Sequence, residues 1–354
     1  MYEQFGLDIS PRQASILLGL LIGLAFGALA EVSRFCFRRA VAGPVSERKS
    51  AAGVWLGGLA TAMIGTQIAV TQGLITFEDH RFMVTDMPIL AIIFGGLIFG
   101  AGMVLTRGCV ARLTVLAGTG NLRAVLVLLA FAVIAHATLK GVLTPIRTAL
   151  SSITVPLTNG ALPGSPLIWT VLIAGAAGLL ALRLADNRRT LALGALIGLL
   201  VPAAWIGTGY VLFDEFDPIA LESLSFTSPA TEVLFWTVAS SAIPAGFGVG
   251  LFGGVIAGAM VLSLIAGRFK WQSFTSPQQT GRYLAGAALM GVGGVLAGGC
   301  TIGAGLSGVP TLSVAAILAL ISIGTGGALT ARLIRDGVSS TDAGQATSSA
   351  PQAV

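Results

Sequence analysis

Nine apolar runs dominate the sequence and limit its fold more than any other feature. A helix needs about 20 residues to cross the roughly 30 Å hydrocarbon core of a bilayer. Hydrophobic residues make up 55% of the 354 residues and charged residues only 10%, which leaves too little polar surface for a water-soluble globule. The sequence therefore predicts an all-α polytopic membrane protein. The runs cover residues 14–30, 51–72, 88–106, 120–139, 167–184, 190–212, 233–266, 281–298 and 311–333.

The seventh run, 233–266, is too long for one simple span. Pro244 and Gly246 lie inside it, and such residues interrupt a helix. We expect a short approach helix followed by a helix that crosses the membrane.

Charged residues in the connections predict the orientation of the runs. Arginine and lysine concentrate in 31–50, 183–190 and 267–282, whereas aspartate and glutamate concentrate in 73–87 and 213–232. Because basic connections stay in the cytoplasm, the alternation predicts an outer N-terminus and a cytoplasmic C-terminus. This topology accounts for the net charge of +5, so no nucleic acid partner is expected.

A ten-residue pattern, G-x-G-x-V-L-x-x-G-C, occurs twice, at residues 100–109 and 291–300. Each copy ends on one of only three cysteines. A shorter match, G-x-L-I-G-L, relates residues 19–24 to 194–199. These repeats indicate a duplicated unit in which runs one to four correspond to runs six to nine.

The first run is expected to belong to this repeat and to remain in the mature protein. Residues 28–30 resemble a signal-peptide cleavage site. However, residues 1–13 carry two acidic residues and one arginine, unlike the basic start of a signal peptide.

The fifth run joins the halves, and a single joining helix inverts the second half relative to the first. Inverted halves place equivalent sites near a shared midplane, where we expect broken or re-entrant helices. The tail is rich in Ser, Ala and Gly and is expected to be disordered and cytoplasmic. The expected divisions are an outer N-terminal segment 1–13, a first repeat 14–139, a connection with the linking helix 140–189, a second repeat 190–335 and the tail 336–354.

Glycines beside two of the cysteines predict irregular backbone at the centre. Gly108, Gly299 and Gly303 can leave the helix and turn amide groups towards a pore, which is possible only where the backbone lines a cavity or is buried in protein. Helices that begin after Cys109 and Cys300 would offer N–H donors and partial positive charge to an anion. Most other glycines are expected to serve close helix packing.

The cysteines show no pattern typical of a metal or redox site. The sequence has no C-x-x-C, and its two histidines are isolated, so we expect neither a metal nor a cofactor. An isolated membrane cysteine is usually a small buried hydrophobe. The repeat favours a functional role for Cys109 and Cys300.

The sequence resembles the YeeE/YedE family of membrane proteins. Three stretches carry the resemblance: Arg34-Phe35-Cys36, the glycine-rich residues 95–109, and residues 291–306 with Gly-Gly-Cys-Thr-Ile-Gly at 298–303. The resemblance covers nearly the whole chain and implies a bacterial inner-membrane importer of thiosulfate and related sulfur compounds. It also implies an hourglass of inverted repeats, with Cys36, Cys109 and Cys300 along the substrate path.

A soluble cytoplasmic sulfur carrier of the TusA type is a further partner that the resemblance implies. The candidate site residues are those of the three cysteine motifs and the neighbouring arginines: Arg34, Cys36, Arg107, Gly108, Cys109, Arg112, Gly299, Cys300, Thr301 and Gly303.

Two arginines depart from the family pattern. The family usually has a small residue where Arg107 stands and a glycine at Arg112. Both strengthen an anion site but weaken the specific assignment of thiosulfate. Alternatively, they face the cytoplasm as ordinary positive-inside residues.

Three functions remain open at this stage. The first is a transporter, not an enzyme, whose protonated thiols make weak contacts with a sulfur anion. The second is a membrane sulfurtransferase or thiol oxidoreductase that carries sulfane sulfur as a cysteine persulfide. The third is a passive anion channel in which the cysteines only pack.

Overall fold

The computed structural model describes residues 9–348, and side chains are described as far as residue 335. Nine helical segments in this part of the chain are long and apolar enough to span a membrane, and many of their large apolar side chains are exposed on the protein surface, as bilayer contact requires. The predicted all-α polytopic membrane fold is confirmed. The helices are α1 (Pro11–Ser33), α2 (Phe37–Ala42), α3 (Val45–Thr71), α4 (Ile89–Leu105), α5 (Val110–Gly118), α6 (Leu122–Lys140), α7 (Thr144–Ser151), α8 (Pro166–Leu184), α9 (Arg188–Ile206), α10 (Thr227–Ala239), α11 (Phe247–Ile265), α12 (Pro277–Leu296) and α13 (Val314–Ser348).

Irregular elements extend two of the spans. A π-helical turn, Gly207–Val211, continues α9. A π-helix, Thr301–Gly308, and a 3-10 turn, Val309–Thr311, follow α12. The break expected in the seventh apolar run is present, because α10 ends at Ala239 and α11 begins at Phe247.

The ends of the chain are only partly described. Of the expected N-terminal segment 1–13, residues 1–8 lie outside the described residues. The backbone of residues 336–348 continues α13. The expectation of a disordered tail at 336–354 stays a prediction. Residues 349–354 lie outside the described part.

Glycine brings α1 and α11 into backbone contact. A β-carbon added at Gly23 would lie 2.9 Å from the Val255 nitrogen, and one added at Gly254 would lie 3.0 Å from the Leu24 nitrogen. The hydrophobic effect does not drive helix association within lipid. Close approach of the backbones therefore stabilises this helix pair through van der Waals contact. The glycine spacing in the sequence predicted such packing.

Equivalent helices of the two halves pack in equivalent ways. Just as α1 packs on α11, its counterpart α9 packs on α3. Likewise α4 packs on α13 and α12 packs on α6, while α4 and α12 contact each other. Two repeats related by a two-fold axis would make these contacts, and we retain inverted repeats at 14–139 and 190–335 as a proposal.

Contacts between the connections define two ends of the helix bundle. At one end, the short strands β1 (Asp86–Met87) and β2 (Val155–Pro156) pair antiparallel. At the other end, the Leu122 amide donates a hydrogen bond to the Gln272 carbonyl (2.9 Å). The first end carries the acidic connection 73–87, and the second carries basic connections. We call them the outer end and the inner end.

Candidate functional site

Each of the three cysteines lies where one helix ends and another begins. Cys36 separates α1 from α2, Cys109 separates α4 from α5, and Cys300 separates α12 from the π-helix. In each case the cysteine is the N-cap residue of the second helix. The expected broken helices are therefore present, and the amides of the following turn lie next to each thiol.

The residue two positions before each cysteine has left-handed backbone. The φ angles are 52° at Arg34, 60° at Arg107 and 74° at Gly298. A left-handed residue ends a helix by turning the chain, and glycine is the residue usually found there. Glycine at position 298 indicates such a turn in the sequence, whereas arginine at positions 34 and 107 gives no indication of one.

This geometry predicts an unusual response to substitution at Arg107. Left-handed backbone costs a residue with a β-carbon about 1–2 kcal/mol, and most of all a β-branched one. We expect Arg107→Gly to melt at least as high as the native protein and Arg107→Val to lose about 1–2 kcal/mol of stability. Thermal melting of the purified protein measures both.

Arg332 provides the control for this comparison. It is exposed in the regular helix α13, where glycine costs about 1 kcal/mol and valine less. The order of the glycine and valine variants should therefore reverse. The same order at both positions would contradict the left-handed assignment of Arg107.

All three thiols are buried, and those of Cys36 and Cys109 lie next to each other. The exposed fractions are 5% for Cys36, 2% for Cys109 and zero for Cys300. The Cys109 thiol lies beside both the Cys36 thiol and the Thr301 hydroxyl. The structure thus brings all three cysteine motifs together at the centre of the bundle, although the first and last are far apart in sequence.

The glycines that were expected to turn amides towards a pore have more specific roles. The Gly303 amide donates to the Cys300 sulfur (3.4 Å), so it supports the thiol directly. A β-carbon at Gly303 would lie 2.9 Å from the Ser225 hydroxyl oxygen, and one at Gly299 would lie 2.9 Å from the Ala304 nitrogen. Gly108 is less crowded, and its carbonyl accepts a hydrogen bond from the Thr106 hydroxyl (2.9 Å).

The candidate arginines have different environments. Arg34 and Arg107 are exposed. The Arg112 side chain is only 15% exposed, donates to the Ala30 carbonyl (3.2 Å) and lies 3.8 Å from the Glu31 carboxylate. Arg112 is therefore a partly buried cation that connects α5 to the end of α1, a few residues before Cys36.

A cavity of about 540 Å³ opens at the outer end and reaches the π-helix. Gly303 and Ser307 of that helix form part of its wall, so the cavity approaches the Cys300 motif. Its charged and polar wall residues come from the connection 72–88 and from the segment that follows α9. Apart from Ser307 of the π-helix, they are Thr76, Asp79, His80, Arg81, Glu222, Ser223, Ser225, Ser228 and Glu232, with the indole of Trp205 beside them.

Most of this cavity gives no clear signal in the sequence, where 213–232 has the composition of an acidic connection between apolar runs. Residues 223–227 are instead buried among the helices. The Ser223 hydroxyl donates to the Val201 carbonyl (3.0 Å), and the Ser307 hydroxyl donates to the Leu224 carbonyl (2.7 Å). The absence of charge between Glu222 and Glu232 is the one sequence signal that could have indicated burial.

Burial changes the titration of the cavity groups. Desolvation lowers the pKa of His80 to about 4, with a smaller contribution from Arg81, so this histidine is neutral at physiological pH. Desolvation also raises the pKa of Glu222 to about 7, and the neighbouring Glu232 carboxylate adds to the effect while Arg81 opposes it. The pKa of Glu232 is raised by the same desolvation.

A second cavity, of about 220 Å³, opens at the inner end and reaches Cys36. Arg34 and Arg39 line it together with Phe35 and Ser33. Within the described part of the chain, no three His, Cys, Asp or Glu side chains group closely enough to hold a metal ion.

Comparison with known proteins assigns the family. Residues 32–329 match the model of a family described as Sulphur transport. The chain is 26% identical over 318 residues to the thiosulfate transporter TsuA of Spirochaeta thermophila, which covers 86% of this chain and 94% of that protein. It is 27% identical over 323 residues to the thiosulfate transporter TsuA of Escherichia coli, covering 82% and 86% respectively. The family match spans the three cysteine motifs and both cavities, and the chain belongs to the Sulphur transport family.

Proposed function

We propose that the protein imports thiosulfate or a related sulfur-containing anion across the bacterial inner membrane. The anion moves from the outer cavity, past Cys300, Cys109 and Cys36, to the inner cavity. The N-terminus lies outside and the C-terminus in the cytoplasm, since the basic connections lie at the inner end.

The order of the cysteine motifs between two cavities carries this proposal. The outer cavity ends at Gly303, whose amide hydrogen-bonds to the Cys300 sulfur. Thr301, next in the chain, lies beside Cys109, and Cys109 lies beside Cys36. Cys36 then lines the inner cavity. Two relatives named as thiosulfate transporters support the same substrate class.

The central residues offer weak and neutral contacts suited to such an ion. A dianion cannot cross a low-dielectric centre unless donors replace its hydration. Protonated thiols are weak donors with polarizable sulfur, and the hydroxyl of Thr301 is a stronger donor. Weak contacts at successive positions allow both binding and release.

The basic surroundings of Cys36 favour exit at the inner end. Arg112 lies close enough to Cys36 to act on it electrostatically, and Arg34 and Arg39 line the cavity below it. A cavity with two arginines attracts an anion that leaves the centre. We place the docking of a TusA-type sulfur carrier at this inner end, where it would take up the imported sulfur compound.

Uptake of labelled thiosulfate into proteoliposomes tests the proposal. Native protein should take up the label above the level of protein-free vesicles, and unlabelled thiosulfate should compete better than sulfate, which lacks the terminal sulfur. Cys300→Ala should lower the rate at least tenfold, about 1.4 kcal/mol, because it removes the first thiol. Sulfite and tetrathionate as competitors define the range of sulfur anions. No uptake by the folded native protein would refute the proposal.

A sulfurtransferase is the second candidate function, because the neighbouring thiols of Cys36 and Cys109 could carry sulfur as a persulfide. Mass spectrometry after exposure to thiosulfate distinguishes the two functions. A persulfide on Cys36, Cys109 or Cys300 would favour sulfur transfer, whereas unmodified thiols with continued uptake favour transport. Uptake that survives when all three cysteines are alanine, together with single-channel currents, would favour a passive channel.

A further inference from the structure

The charges in the outer cavity are poorly suited to an anion. Among the described wall residues, Arg81 is the only arginine or lysine, against the carboxylates of Asp79, Glu222 and Glu232. Asp79 is exposed to solvent, whereas both glutamates are half-buried. With all three carboxylates ionised, the cavity would repel a dianion, because attraction to one cation is outweighed by repulsion from its neighbours.

One further cation lies near the glutamates but does not line the outer cavity. Arg12, at the start of α1, shares a smaller adjoining cavity with Glu222 and Glu232. His80 is half-buried and neutral at physiological pH, since its pKa is about 4. The wall residues from α9, α11 and the π-helix, namely Trp205, Phe247, Gly303 and Ser307, do not titrate.

The same cavity contains donors that have no acceptor. The indole N–H of Trp205 and the hydroxyl of Ser225 are buried and lack a hydrogen-bond partner among the described residues. Trp205 is 2% exposed and Ser225 is 8% exposed, and both line the cavity. Buried donors without partners are costly, so their presence here indicates an acceptor that occupies the cavity.

We propose that the outer cavity captures the sulfur anion together with protons, with Arg81, Trp205 and Ser225 as donors and with Glu222 and Glu232 in their protonated form. Protons come from the outer solution, and each neutralises one carboxylate. A protonated carboxyl also becomes an O–H donor, so it changes from repelling the anion to binding it. This inference rests on the proposed import of a sulfur anion and adds the protonation state that loads it.

The position of Glu222 in the fold suits this role. Its backbone amide and carbonyl both hydrogen-bond to the Thr208 hydroxyl, at 3.1 and 2.8 Å, which fixes the segment against the π-helical turn of α9. Burial raises its pKa to about 7, so the carboxyl is mostly neutral below pH 7 and mostly ionised above it. Thiosulfate stays a dianion throughout this range, so the protein alone supplies the pH dependence.

Equilibrium binding of thiosulfate to the purified protein, measured by titration calorimetry at pH 6 and pH 8, tests the inference. A single group with a pKa near 7 makes the Kd about tenfold weaker at pH 8 than at pH 6. At pH 8, where a group with a pKa near 7 is almost fully ionised, the heat of binding measured in buffers of different ionisation enthalpy should show uptake of about one proton. A Kd independent of pH, or binding without proton uptake, would overturn the inference.

Variants separate the coupling site from general pH effects. Glu222→Gln should bind at pH 8 nearly as well as the native protein binds at pH 6, and should lose most of the tenfold dependence. Glu232→Gln should weaken the dependence, which provides a second variant should the first fail to fold. Arg81→Gln should lower affinity at both pH values. Glu215→Gln is the matched control, because Glu215 is exposed in the same connection and should keep the full dependence.

The remaining outcomes show whether a metal cation replaces the proton, and whether this inference or the proposed function itself fails. Replacing sodium by choline should leave the Kd unchanged, and a Kd that follows sodium instead of pH would overturn proton-linked capture in favour of a metal cation. Failure of the native protein to bind or transport thiosulfate at any pH would refute the proposed function itself. Transport with pH-independent binding would refute only this inference.

Discussion

Gly254→Val is expected to prevent the protein from folding. The branched side chain would begin 3.0 Å from both the Gly23 α-carbon and the Leu24 nitrogen, where α1 and α11 are in backbone contact. Backbone cannot rotate away as a side chain can, so the helices must separate along their length. Overpacking alone costs about 1–3 kcal/mol and more against backbone, a large part of the stability of a typical domain. The yield of monodisperse protein and its melting temperature measure the effect.

The adjacent residue provides a closely matched control. Gly253 is on the same helix but exposed, and a β-carbon there meets nothing within 4 Å. Gly253→Val makes the same chemical change and gains the same helix propensity. It should fold and melt close to the native temperature. If Gly253→Val and Gly254→Val lose the same amount of folded protein, glycine is needed on α11 for its backbone freedom and not for close packing.

Thr301→Val is expected to lower uptake at least tenfold without a loss of stability. Thr301 is fully buried, and its hydroxyl makes no hydrogen bond among the described residues, although the Cys109 thiol lies beside it. A buried hydroxyl without a good partner costs about 1–3 kcal/mol, and valine has the same branched shape, so the variant should melt no lower than the native protein. A hydrogen bond to a charged ligand is worth about 1.5–3 kcal/mol, so its loss should slow uptake.

Ser263→Ala separates these two effects. Ser263 is also fully buried, and its hydroxyl has no hydrogen-bond partner in the part of the chain that the structure describes. It lies on α11 and lines neither the outer nor the inner cavity. This variant should match Thr301→Val in stability while keeping native uptake. Native uptake in Thr301→Val would remove its hydroxyl from the proposed path. Parallel changes in melting temperature and uptake would mean that the hydroxyl matters for folding.

Much of the architecture follows from local properties of the sequence. Apolar length predicted the membrane-spanning helices, and the proline and glycine near 244–246 predicted the break before α11. Glycine spacing predicted close helix packing, and the structure shows that α1 and α11 are the partners. These features can be predicted from sequence because each depends on the bilayer thickness or on the size of one side chain.

The centre of the molecule could be predicted only in part. The glycines flanking Cys109 and Cys300 predicted interrupted helices, and these were found. The left-handed backbone of Arg34 and Arg107 gave no sequence signal, because arginine rarely adopts it. Whether Arg112 faced the cytoplasm was open from sequence, and its contact with Glu31 depends on where α1 ends in space.

The outer cavity was decided by tertiary structure alone. The connection after α9 looks acidic and exposed in sequence, yet its middle is buried by hydrogen bonds to residues that are distant along the chain. That burial places Glu222 and Glu232 beside Arg81 and shifts their pKa values. The sequence by itself determined which segments form membrane-spanning helices and where glycine or proline interrupts them, because helix formation in lipid is a local requirement. Which charges share a cavity depends on long-range packing, and only the folded chain shows it.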